Sequence, residues 1–490
     1  MGELLSHGVV PQLTPDTQAF FRAAYGVLLL AQLVLALPHA RRFFMSERWG
    51  GYARSAPAVD AVQNPRVMPV VLVVWFACSA SLISGVWAVW AALLNVALCH
   101  YFFVWMRWRG LLRGMGAPGF MTYWLGVAVF LLELTTQYAP SAYDLALLAL
   151  QVDFAVLFLS AGIYKLFAGY RRNYGVDLGL ANPEWGYWWR FWTRLRPDHW
   201  AIKTLNQLGW AGEIVAAILM LLPPTRFLGA VLLIVTFALV RTQIRLGVLS
   251  EAVMLVGVLY FHPGSFGARA VDAAFAWLPS STAPGGEVAW LPTPLKVFLV
   301  AYMALLPLAY AGLYFNLFAR RWLPPGVQRA LDLYTNAFGI ILWRVFSSDV
   351  VNFFVLIHRL RADGSRELVS RYGWRNGLRY AHVGESITVT SLFTSLKYFP
   401  SNNALFVERL LRYARTVPRE QGEKLVFQYV SVGHGEGRFE HMPAADFVVD
   451  VDAGTVEERT LRADIRLRGG HELSPVHEAA HPGTYAPAAR

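Results

Sequence analysis

Lys165 is the residue in this chain that most needs a chemical explanation. It sits near the end of an apolar run, residues 145–167, LALLALQVDFAVLFLSAGIYKLF. About 20 mostly apolar residues suffice to cross the ~30 Å hydrocarbon layer of a bilayer. An ammonium group in or beside that layer is costly, so it either snorkels to the interface or is placed there for chemistry. In a water-poor pocket the charged form is disfavoured, and the amine becomes a usable base or nucleophile. Gly162 and Ala161 just before it allow a second helix or a flat ligand to come close.

Four acids fall within or at the ends of other apolar runs: Glu133, Asp153, Glu213 and Glu251. Each is open to a functional role or to an interhelical ion pair or hydrogen bond that orders a bundle. Asp153 and Lys165 are twelve residues apart, which places them ~18 Å apart along one helix and about 120° around it, so they cannot pair. Glu213 lies near the start of the following apolar run and is joined to Lys165 by one loop. It is the best candidate for a counter-charge.

The elements that must position these residues are membrane spans. Of 490 residues, 56% are hydrophobic and only 15% charged, against roughly 25% charged in soluble domains. The reading is an all-α polytopic membrane helical bundle of about nine spans, followed by a small α+β, mostly β, soluble region. The spans fall near residues 20–37, 68–84, 86–106, 120–138, 145–167, 205–222, 227–240, 248–261 and 295–317. The seventh and eighth are short and open to a re-entrant or hairpin form. Arginines follow the odd-numbered spans, among them Arg41, Arg42, Arg107, Arg171, Arg241 and Arg320. The positive-inside rule then places the N-terminus outside and the C-terminal region inside. This pattern assigns the net charge of +11 to topology and anionic lipid headgroups, and nucleic acid is not expected as a partner. Eighteen Trp and 21 Tyr supply interfacial belts. The first 18 residues carry no signal peptide pattern.

Residues 182–200, rich in tryptophan and arginine, read as a helix lying in the interface. Residues 262–294 read as a loop without a fold of its own. After Arg321 the chain becomes soluble in character, giving units 1–321, 322–468 and a disordered tail 469–490. An amphipathic helix is expected at 334–346, a strand at 350–361, an Asp363-Gly364 turn returning at 367–370, a helix at 404–415, and strands at 425–432 and 447–451. Cys78 and Cys99 lie inside apolar runs, and neither a disulfide framework nor a metal site is readable. No internal repeat, P-loop, dinucleotide fingerprint or HExxH motif is present.

Residues 160–166, SAGIYKL, resemble the corresponding helix of the vitamin K-dependent gamma-glutamyl carboxylases and of their bacterial relatives, which carry the horizontally transferred transmembrane (HTTM) domain. Phe21-Arg22 with Tyr25-Gly26 is similar to the opening of that family's first span. Residues 208–229, with Glu213, Arg226 and Gly229, resemble its next span, and Phe338-Gly339 with Trp343 its entry into the soluble region. The resemblance covers residues 20–416. It implies a quinol-dependent enzyme of lyase or oxidoreductase type in a bacterial cytoplasmic membrane, with Lys165 as the base that deprotonates a reduced vitamin K-like quinol and Glu213 as its polar partner. Gln137, Gly162, Tyr164 and Arg226 would line the quinol. For a carboxylase it further implies O2, CO2 and a peptide or protein substrate.

The departures are specific. Gln137 stands where the carboxylases carry a histidine, and a second histidine is missing from Phe237-Ala238-Leu239-Val240. These gaps keep the base and the scaffold while counting against glutamate carboxylation. The alternatives are a non-enzymatic membrane scaffold or maturation factor, and a transporter, for which no inverted repeat is visible.

Overall fold

Long apolar segments in lipid must satisfy their backbone polar groups internally, which leaves the helix as the way across. The computed structural model of the protein describes residues 10–106, 116–279, 286–318, 323–343, 348–369, 380–400 and 402–468. In chain order its main helices begin with α1 (Pro15–Ala36), whose N-cap Thr14 accepts a hydrogen bond from Thr17 N at 3.1 Å. Helix α2 (Met68–Ser84) stops at Gly85, which takes a left-handed φ of +77°. Then come α3 (Ala88–Cys99), continued by the π-helical turn His100–Trp105, α4 (Gly116–Tyr138) and α5 (Tyr143–Phe167). A short helix α6 (Val176–Ala181) precedes α7 (Trp200–Leu221), α8 (Arg226–Gln243), α9 (Leu249–Gly257), α10 (Phe266–Phe275) and α11 (Pro292–Phe318).

Among the described residues, seven helical stretches are long and apolar enough to cross a membrane: Pro15–Phe44, Ala88–Trp105, Pro118–Tyr138, Pro140–Phe167, Trp200–Leu221, Pro223–Gln243 and Pro292–Phe318. Met68–Ser84 and Leu249–Tyr260 are shorter apolar helices in the two remaining expected positions. The stretch at 227–240 is longer than expected. The turn Pro223–Thr225 leads directly into α8, and the helix continues past Arg241 to Gln243, giving 21 residues.

Two loops differ from expectation. Residues 182–200 form turns around a four-residue helix, Trp189–Trp192, and not one interfacial helix. Pro183, Gly186 and Pro197 interrupt any longer helix there. Trp185 is buried while Trp188, Phe191 and Trp200 are exposed. Within 262–294 the ten-residue helix α10 forms, started by Ser265, whose hydroxyl accepts from Ala268 N.

The C-terminal part opens with α12 (Pro325–Phe338), nine residues earlier than the expected helix at 334–346. Pro325 suits the first helical position, and Gly339 at φ +69° ends the helix. A five-stranded antiparallel sheet follows in the order β2-β1-β3-β4-β5. Its first strands are β1 (Phe353–Leu360) and β2 (Arg366–Leu368), joined through the Asp363-Gly364 turn with Gly364 at φ +81°. Helices α13 (Tyr380–Tyr398) and α14 (Asn403–Ala414) come next; the first carries no clear amphipathic period and escapes sequence reasoning. Strands β3 (Lys424–His434), β4 (Phe439–Asp450) and β5 (Thr455–Thr460) complete the sheet. The two helices cover one face, with Phe393 and Phe406 packed on Phe447. The tail from residue 469 lies outside the described residues.

The hydrophobic core does not divide at 321/322. One cluster joins Phe21, Leu132 and Phe158 of the bundle to Trp343, Phe354, Val432 and Phe439. A second joins Leu29, Trp75 and Phe102 to Phe353, Phe393 and Phe427. The sheet is therefore docked on the bundle as part of the same packed body.

Candidate functional site

Lys165 lies in the last turn of α5, and the helix beside it is α7. Gly162 sets how close the two backbones come. A Cβ there would lie 2.5 Å from Ile214 Cγ1 and 3.0 Å from Trp210 O. That approach, which only glycine permits, brings Lys165 Nζ into an ion pair with Glu213 Oε1. Lys165 is 7% exposed and Glu213 4%. Glu213 Oε2 is buried and has no hydrogen-bond partner among the described residues. A buried carboxylate oxygen left without a donor is a costly feature, and a bound hydroxyl or amine would relieve it.

Beyond the end of α5 the chain turns back over this pair. Lys165 Nζ lies 5.9 Å from the ring centroid of Tyr170, a distance at the limit of a cation–π contact. The Tyr170 ring is fully buried between two glycines. A Cβ at Gly175 would sit 2.3 Å from its Cε2, and one at Gly209 of α7 3.2 Å from its Cε1. Burial first, then the nearby carboxylates of Glu213 and Asp177, hold its phenol well above the usual tyrosine range, so it stays a neutral donor.

Asp177, in the first turn of α6, is buried and accepts Gly175 N at 2.6 Å. Its second oxygen lies 2.6 Å from His434 Nε2. His434 closes strand β3, with its side chain 29% exposed and its ring edge-on to Tyr174 and Phe439. Close by, His441 Nε2 meets Ala181 O at 2.9 Å, and buried Asn182 donates to the carbonyls of Val351 and Phe353 at 2.9 and 2.8 Å. The sheet is thus seated on the loop that follows Lys165.

The structure splits the six site residues read from sequence. Lys165, Glu213 and Gly162 come together, and Tyr164 is buried within electrostatic reach of Tyr170. Gln137 does not join them. It ends α4 beside the start of α5, and the 22 residues from Tyr143 to Lys165, at about 1.5 Å each, place it roughly 33 Å away. Arg226 begins α8 beyond the far end of α7, in electrostatic contact with Tyr260. The eight residues from Glu213 to Leu221 alone separate it by ~12 Å along the axis. Both residues lie at the opposite ends of their neighbouring helices from Lys165.

The other three intramembrane acids have partners of their own. Glu133 lies 3.6 Å from Arg22 and 3.3 Å from Gln18 Nε2. Asp153 accepts Trp124 Nε1 at 2.7 Å, and Glu251 pairs with Arg241. A pocket of about 370 Å³ opens at the end of the bundle opposite Lys165, bordered by Gln18, Thr136, Tyr143 and Asp144. Among the described residues no group of three His, Cys, Asp or Glu side chains could hold a metal ion.

His434 and Asp177 are the residues that sequence reasoning missed. They are 257 positions apart, and neither sits in a motif; only the docking of the sheet joins them. Comparison with protein-family models, with curated proteins and with solved structures gives no match in any of the three.

Proposed function

We propose that this chain is an integral membrane enzyme of the vitamin K-dependent carboxylase-like (HTTM) type, in which Lys165 and Glu213 form an acid–base pair acting on the hydroxyl of a quinol. The observation that carries this reading is the buried Lys165–Glu213 pair with one carboxylate oxygen left without a donor. In a dry site the pair can hold its proton on either member, because ammonium–carboxylate and amine–acid are both neutral overall.

The residues present fit a quinol. Glu213 Oε2 offers a polar partner for a phenolic oxygen, and the buried Tyr164 and Tyr170 supply aromatic surroundings. A quinol, when bound, supplies an acidic hydroxyl and two reducing equivalents, with O2 as the oxidant. With the pair's proton on Glu213, the Lys165 amine takes the hydroxyl proton, Glu213 Oε1 accepts a hydrogen bond from the new ammonium, and the carboxyl O–H orients the phenolic oxygen. Gln137 and Arg226 are too distant for that contact and drop out of the proposed site. The absent histidines weigh against glutamate carboxylation, and with it against CO2 and a peptide substrate.

Nine spans in a bacterial cytoplasmic membrane, with the N-terminus outside and the soluble region inside, belong to the same proposal. Support comes from the arginines that follow alternate spans and from the two short apolar helices that fill the remaining positions. A reporter fused after Arg490 reads the orientation directly; activity on the outer side would reverse it.

The enzymatic test is oxidation of a reduced vitamin K-like quinol by the full-length protein in detergent under O2. Lys165→Ala is expected to lower the rate by ~100-fold or more, the usual weight of a positioned base. Absence of oxidation in the wild type, or an undiminished rate in Lys165→Ala, overturns the reading. A scaffold role is the second reading, favoured by one observation: the three other intramembrane acids all have structural partners. It predicts that Lys165→Ala alters stability alone.

A further inference from the structure

A base buried in the bundle must return its proton to water after every turnover. Lys165 is only 7% exposed, and the surrounding helices are apolar. Beyond the end of α5 lies a cluster of proton-carrying groups. Tyr170 is next to Lys165, 5.9 Å from Nζ to the ring centroid. It is gripped by Gly175 and Gly209 so that its ring cannot turn away. Asp177 is fixed by Gly175 N at 2.6 Å, and the peptide following Gly175 is itself tied down, Val176 N donating to Asn206 Oδ1 of α7 at 2.9 Å. Asp177 then touches His434 at 2.6 Å, and the His434 ring reaches solvent. Gly175 thus meets the Tyr170 ring and donates to Asp177, so the tyrosine and the carboxylate lie on either side of one residue.

We propose that Tyr170, Asp177 and His434 form a proton relay that connects the buried Lys165–Glu213 pair to water at the edge of the soluble sheet. A proton leaving the pair bonds to the Tyr170 oxygen as the phenol's own proton passes to the Asp177 carboxylate. Asp177 hands it to Nε2 of His434 in the tautomer that carries its hydrogen on Nδ1, and Nδ1 releases that hydrogen to water. At each station one O–H or N–H bond breaks as another forms, so the pair gives up one proton, water gains one, and the three relay residues keep their charge, the imidazole then exchanging its tautomer. The sheet is then part of the proton path as well as a cover. The relay also explains the investment in fixing Asp177: a carboxylate that only anchored a loop would not need to face a solvent-reaching imidazole.

The inference rests on the acid–base reading of Lys165, but its test needs no quinol. The chain has five lysines, Lys165, Lys203, Lys296, Lys397 and Lys424. With lysine labelled at Nζ with nitrogen-15, the Lys165 signal is identified by its loss in Lys165→Arg. Exchange of its ammonium protons with water is then measured in the ligand-free, full-length protein. Tyr170→Phe keeps the ring between its glycines and removes the hydroxyl; His434→Gln keeps a donor toward Asp177 and removes the titratable ring. Each is expected to slow Lys165 exchange at least tenfold while the other four lysine signals stay in place. Exchange within twofold of wild type in a variant whose other signals are unmoved overturns the relay. If one variant displaces those signals, the other decides. Slowed exchange alongside absent quinol oxidation would keep the relay and reject the proposed chemistry; the reverse would keep the chemistry and reject the relay. Where turnover exists, His434→Gln is expected to lower kcat with little change in KM, and added imidazole to restore it.

Discussion

Lys165 and Glu213 together are close to neutral in the interior, whereas either alone is a buried uncompensated charge. Breaking such a pair by removing one partner typically destabilises by ~3–5 kcal/mol, while replacing both with apolar residues of similar size is often neutral. Glu213→Leu is therefore expected to lower the unfolding temperature in detergent sharply, and Lys165→Met with Glu213→Leu to recover most of the loss. If the double variant folds well and oxidises no quinol, the pair serves chemistry; if it is as damaged as the single variant, the pair is not the coupled unit described above. This residue-scale contact was legible in the sequence because one loop joins the two spans and Glu213 falls near the lysine's end of the second. The Asp177–His434 contact was not, since no periodicity or motif links positions in different elements across 257 residues. Gln137 and Arg226 were misplaced for a related reason: similarity of short motifs carries no information about depth along a helix.

At the scale of elements, the α5–α7 crossing is set by Gly162. Gly162→Val puts methyl groups where Ile214 and the Trp210 carbonyl already sit, and overpacking of this kind costs about 1–3 kcal/mol. The expected result is a lower melting temperature together with loss of activity, because the separation of Lys165 from Glu213 follows the backbone separation. An unchanged rate with a lowered melting temperature would show that the pair tolerates that movement. The apolar helices were readable because composition and length alone specify them. The helix at Pro325–Phe338 and the turns of 182–200 were not, because prolines and glycines shift a boundary or abolish a helix that residue types otherwise favour. Strand β1 and the Asp363-Gly364 turn were readable from alternation and turn chemistry, and the register of β1 on β3 confirms them.

For the whole molecule, two neighbouring acids at the junction between bundle and C-terminal sheet region work in opposite directions with pH. Burial holds the Glu184 carboxyl well above its ordinary value of 4.5. Burial would also raise Glu385, but Arg42 at 3.2 Å and the Tyr413 hydroxyl at 2.7 Å bring it below that value. A raised carboxyl contributes stability that is fully present below its unfolded value and lost as pH rises through its folded one. A lowered carboxyl contributes stability present above its unfolded value and lost as pH falls. Glu184→Gln is therefore expected to flatten the fall in melting temperature on the alkaline side, and Glu385→Gln the fall on the acid side. An identical pH profile in Glu184→Gln would contradict its burial as an acid. The docking itself is tested by Asn182→Ala, which strips two buried carbonyls of their donor. A loss of about 2–3 kcal/mol is expected, read as earlier proteolytic release of the sheet.

The seating of β3 on α6 also has a consequence in time. Asp177 is synthesised 257 residues before His434, so at ~5–20 residues per second the ribosome needs about 13–50 s to make the partner. Throughout that interval the helices around Lys165 have been made while the strands that will cover them have not. The loop over the lysine must wait beside the translocation machinery with its apolar landing surface bare, and a stall in translation downstream of α11 would leave a bundle that is inserted but unfinished.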